Sequence, residues 1–133
     1  MASDETSGVV PSTARARRDL ERVRRICLAL PEATEVITWD HPTFRTGDKI
    51  FASFGNYQGE WCVSFKTSVD EQTLLCMDDR FYVSRYVGKH GWTTLRLVGR
   101  TPWGEVERLV HGSFRRIAKK RLVALLGPID ENA

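Results

Sequence analysis

His41, with Asp40 before it and Arg45 and Lys49 after it, is the group whose types and spacing come closest to chemistry. A histidine titrates near neutral pH and can take a proton, a neighbouring carboxylate can orient its ring, and two cations can hold an anionic substrate. The spacing argues against a catalytic pair. Sequence neighbours in an extended segment point to opposite faces, so Asp40 is not expected to reach the His41 ring. No motif places a serine or cysteine as its nucleophile. His41 is therefore expected to be structural, bonding a backbone group and fixing the Pro42 turn, and no catalytic residue is assigned.

Phe65-Lys-Thr-Ser68 and Tyr86-x-x-Lys89-x-x-Trp92 set lysines beside aromatics, the mixture that holds phosphates and stacks rings. The plainer account is a lysine stem lying over an aromatic with its ammonium in water. With Lys66, Lys89 and Trp92 added, the residues His41, Arg45 and Lys49 outline a candidate pocket for a small anionic compound. A second candidate is the basic cluster Arg115, Arg116, Lys119, Lys120 and Arg121, a pattern that often contacts a phosphate backbone. Read as one helix, Arg115/Lys119 and Arg116/Lys120 are like-charged i,i+4 pairs. Trp39, Tyr57 and Trp103 are the aromatics that could meet a protein partner.

Metal binding is not indicated. His41, His90 and His111 fall in three separate elements without paired-ligand spacing. Cys27, Cys62 and Cys76 are odd in number, widely spaced and set among apolar neighbours, so all three are expected to be reduced and in or near the core. No cofactor is expected.

The elements that must carry these residues follow from periodicity. Residues 1–12 read as a disordered tail, 13–127 as one domain and 128–133 as a second tail. Ala16, Leu20, Val23, Cys27 and Leu30 recur at helical spacing, opposite Arg15, Arg18, Arg22 and Arg25, with Asp19 and Glu21 partly neutralising those arginines. Val36–Trp39, Thr43–Arg45, Lys49–Ala52 and Trp61–Lys66 read as strands, the last with Trp61, Val63 and Phe65 on one face. Gly55–Gly59 reads as a loop. Ser68-Val-Asp-Glu71 is a capping box opening a helix through about Met77. Phe81–Tyr86 reads as extended or irregular, and Trp92–Val98 as a further strand. Pro102 starts a helix with the stripe Val106, Leu109, Val110, Phe114 and Ile117. Arg121 would fall in that stripe, so a break is expected near Ala118–Lys120. The order predicts an α+β fold, an antiparallel sheet covered on one face by the first and last helices.

Composition agrees with an ordinary folded domain: 133 residues, 41% hydrophobic and 28% charged. The net charge of +3 is only mildly basic, so the distribution of charge has to carry any nucleic-acid argument. No apolar run is long enough to span a bilayer, and the first residues lack the pattern of a secretory leader. A cytoplasmic location is expected.

In this order and spacing, Leu30-Pro31, His41-Pro-Thr-Phe44 with Lys49-Ile-Phe-Ala52, Ser64-Phe-Lys-Thr-Ser68, Tyr86-x-x-Lys89-x-x-Trp92 and Leu109-Val-x-x-Ser113-Phe114 resemble the MmcQ/YjbR-like family. The resemblance implies a CyaY-like, frataxin-type α+β fold. It also implies DNA binding, described for the family as a double-wing motif. Frataxins are thought to use an acidic ridge on the first helix for iron. Here that ridge is replaced by arginines, which repel a ferrous ion. The reading taken forward is a small monomeric binding protein contacting DNA phosphates through basic helix surfaces. The rivals are an anionic-ligand protein or enzyme built on the candidate pocket, and a protein-interaction domain.

Overall fold

The computed structural model describes residues 11–127, so most of the expected N-terminal tail and all of the C-terminal one lie outside the described residues. Helix α1 (Ala14–Leu28) leads into four consecutive antiparallel strands: β1 (Ala33–Thr38), β2 (His41–Thr46), β3 (Lys49–Tyr57) and β4 (Glu60–Lys66). Helix α2 (Val69–Leu75), strand β5 (Phe81–Val83), a 3₁₀ turn (Gly88–His90), strand β6 (Trp92–Arg96), helix α3 (Trp103–Ile117) and helix α4 (Lys120–Ala124) complete the chain. The six strands form one antiparallel sheet in the order β1-β2-β3-β4-β6-β5. This is the expected α+β architecture.

Local chemistry accounts for the boundaries. The Thr13 hydroxyl accepts from the Ala16 amide and starts α1, and the Ser68 hydroxyl accepts from the Glu71 amide and starts α2. Trp39 and Asp40 both adopt positive φ, 49° and 65°, and close a two-residue β1–β2 turn of the type that matches strand twist. β3 runs through the segment expected to be a loop, as far as Tyr57. The turn is confined to Gln58 and Gly59, both at positive φ. Pro102 occupies the cap position of α3 rather than its first turn. The break after Ile117 is present: Ala118 is extended, and Lys119, also extended, begins α4.

The apolar face of the sheet carries Phe44, Ala52, Phe54, Val63, Phe65 and Leu95, all fully buried. Against it lie Leu20, Val23 and Cys27 of α1 and Val106, Val110 and Phe114 of α3. Each Val, Leu or Phe side chain among these stabilises the fold by about 1.5–3 kcal/mol. A register shift between Phe44 and Arg45 bulges β3 and turns Phe51 inward, edge-on to Phe114 with ring centroids 5.3 Å apart.

Candidate functional site

The sheet's other face is polar. Thr43, Ser53, Ser64, Thr94 and Tyr82 are register neighbours on five adjacent strands, forming one row of hydroxyls. Ser64 and Ser84 each lie 2.8 Å from the Thr94 hydroxyl. His41 sits at one end of this face and is half-buried. Its Nδ1 is 3.2 Å from the Trp39 carbonyl, which can only accept, so Nδ1 carries the proton and Nε2 is left to accept from the Tyr57 hydroxyl at 3.3 Å. Burial holds the His41 pKa below its ordinary value, against the opposing pull of the Trp39 carbonyl and the Asp40 charge. Asp40 makes no hydrogen bond to the ring. The ring is thus tied to the backbone beside Pro42. Gly55 makes it possible, because a Cβ there would stand 3.1 Å from the Tyr57 hydroxyl and 3.4 Å from His41 Cγ.

The candidate pocket is divided. His41, Arg45, Lys66 and Trp92 are all half-buried on strands, with Lys66 directly opposite Trp92. Lys49 is exposed at the start of β3 and Lys89 is exposed in the 3₁₀ turn. Arg45 donates to the Thr43 hydroxyl, the Thr38 hydroxyl and the Asp48 carbonyl, so its guanidinium is held by three neutral oxygens. On the same face the Cys62 thiol is buried and pushed up to about 11, mainly by burial.

The C-terminal cluster is also divided. Because α3 ends at Ile117, Arg115/Lys119 and Arg116/Lys120 do not form the expected like-charged pairs on one helix. Arg115 donates to the Gly127 carbonyl at 2.9 Å, and Arg121 is paired with Glu32 at 3.0 Å. Arg116, Lys119 and Lys120 are exposed.

Exposed positive charge is also arrayed along α1. Arg18, Arg22 and Arg25 recur at i, i+4 and i+7 and so form one exposed ridge. The neutralisation expected of Asp19 is present at Arg15 and reaches Arg18, whereas Glu21 is drawn away to Arg24. Asp19 pairs with Arg15 at 3.5 Å, and Glu21 pairs with Arg24, which also pairs with Glu35. Among the described residues, Arg18, Arg22 and Arg25 have no acidic partner within salt-bridge distance. Two adjoining open grooves of about 340 and 660 Å³ run along this ridge, both lined by Arg22, Arg25 and Trp103 of α3. The Arg22 guanidinium lies 5.3 Å from the Trp103 ring centroid. Periodicity could find the arginines but not Trp103 beside them, since nothing local links the two ends of the chain.

Among the described residues no cluster of three or more His, Cys, Asp or Glu side chains is placed to hold a metal ion, and no helix is long and apolar enough to cross a membrane.

A single antiparallel sheet, helix-covered on one face, with a cationic groove between its two long helices, defines the class of protein. The chain belongs to the YjbR family, whose model matches residues 28–116. Among solved structures it is similar to Deinococcus radiodurans protein DR2400, which carries the family domain DUF419. The TM-score is 0.67 at 21% sequence identity, covering 84% of this chain and 89% of that one. A search of curated proteins finds no match.

Proposed function

We propose that the protein is a nucleic-acid-binding module that holds phosphates on the arginine ridge of α1. The observation that carries this reading is that Arg18, Arg22 and Arg25 share one exposed helix face and none of them is in an ion pair among the described residues, although Asp19 lies near Arg18. Guanidinium forks suit phosphate oxygens, and a ridge of them tracks a charged backbone. The exposed Arg116, Lys119 and Lys120 add further cationic surface at the end of α3 and the start of α4.

Contacts of this kind position a nucleic acid without reading its sequence. Duplex DNA should bind weakly and with little sequence preference, with a Kd on the order of 10⁻⁴–10⁻⁶ M at physiological salt. The test is titration of labelled duplex DNA at two salt concentrations with wild type, Arg18→Ser/Arg22→Ser and Arg115→Ser/Arg121→Ser. The α1 pair should flatten the salt slope by up to about two units. The second pair should change it less, since both of its arginines are already bonded. A wild-type protein that DNA columns do not retain at low salt would sink the proposal.

One observation favours a second reading. Arg45, oriented by neutral oxygens on the same face as the His41–Tyr57 pair, could take a small anion on the polar sheet face. Inorganic phosphate should then raise the melting temperature of wild type but not of Arg45→Gln.

A further inference from the structure

Next to Trp103, the groove between α1 and α3 is lined by a glycine that nothing else in the fold requires. Gly104 lies in the first turn of α3 without positive φ, and a Cβ placed on it would meet no atom within 4 Å. Glycine weakens a helix relative to alanine, so neither backbone conformation nor packing accounts for it. Gly104 is exposed and lines the smaller groove together with the half-buried Trp103. The same turn has no side-chain cap, because Pro102 in the cap position has no acceptor to offer. An aromatic platform, an open floor, the positive end of a 15-residue helix and the Arg22 and Arg25 guanidiniums therefore meet in the smaller groove, with Arg18 lining the larger groove that adjoins it. Glu107 lines the smaller part, and Asp19 and Glu21 line the larger one.

We infer that this groove is a stacking site for a base of single-stranded nucleic acid. The base lies on Trp103 over Gly104, displacing the Arg22 guanidinium, which joins Arg18 and Arg25 on the flanking phosphates. Glu107 accepts from an exocyclic amino group of the base. A duplex keeps its base faces stacked inside and offers the ridge phosphates only. The inference rests on the nucleic-acid reading above and adds to it a preference for unpaired strands.

The experiment measures anisotropy of three labelled oligonucleotides of equal length at low salt: a single strand, its duplex and an abasic single strand. The single strand should bind on the order of tenfold tighter than the other two, the equivalent of about one stacked base. Gly104→Leu fills the groove with a better helix former, so it should bring single-strand affinity down to the duplex value without lowering the melting temperature. Trp103→Leu should also remove the single-strand preference, with some loss of melting temperature because the ring packs against the core. Equal affinity of wild type for all three probes, or a Gly104→Leu variant that keeps the single-strand preference, would overturn the inference while leaving phosphate binding intact. If none of the three probes binds, the phosphate reading fails and takes the inference with it.

Discussion

Ser113 of α3 and Phe51 of β3 are joined by a 2.6 Å hydrogen bond that splices a hydroxyl into the sheet. The β3–β4 register pairs Ala52 with Phe65, so the next rung would join Phe51 to Lys66. The bulge prevents it. The Ser113 hydroxyl donates to the Phe51 carbonyl and accepts from the Lys66 amide at 2.9 Å, satisfying both backbone groups and locking α3 to the sheet.

Ser113→Ala would leave those two backbone groups unpaired in the interior. It should lower stability by about 1–3 kcal/mol, read as a shift in the urea midpoint without a change of slope. A loss well under that range would mean that water takes over the hydroxyl's place.

His41 predicts a pH dependence. Its folded pKa lies below the ordinary value of 6.5, so the unfolded chain takes up a proton first as the pH falls. The contribution is complete above 6.5, declines as the pH drops toward the folded pKa, and does not return below it. Between pH 7.5 and 5.5, wild type should lose more stability than His41→Gln. Parallel pH profiles for the two proteins would contradict the buried, neutral ring.

Gly91 sits at φ 94°, and a Cβ there would stand 2.0 Å from the Thr67 carbonyl oxygen. That approach lets the Gly91 carbonyl accept from the Thr67 amide at 2.9 Å. Gly91→Ala should destabilise by more than about 1 kcal/mol, whereas Gly104→Ala should be neutral or stabilising. Thermal melts of the two variants side by side should separate them clearly.

The cysteines should differ in reactivity. Cys27 is fully buried and its thiol pushed well up by burial; Cys62 is also buried, whereas Cys76 is partly exposed. A thiol reagent near neutral pH should label Cys76 first, with all three reacting only after denaturation. Rapid labelling of Cys27 in the native protein would contradict its place in the core.

Much of the fold was legible because periodicity reports burial directly. The stripes of α1 and α3 and the inward face of Trp61, Val63 and Phe65 are all sequence-local signals, as is the proline-rigid segment around His41. The extent of β3 was not legible, because Gly55 and Asn56 look like a loop until Gly55 is seen to make room for Tyr57 against His41. The candidate site was half legible. Charge runs are visible in sequence, but which charges are free depends on long-range partners. Arg121 meets Glu32 from the other end of the domain, and Arg24 draws Glu21 away from its neighbours.

The groove's two walls come from opposite ends of the chain, α1 and α3, with the entire sheet translated between them. A nascent or truncated chain therefore has half a site until α3 is made and docked. Occupancy reports completion of the fold and reinforces it: ligand at a hundred times its Kd would add about 2.7 kcal/mol to the stability of the whole domain.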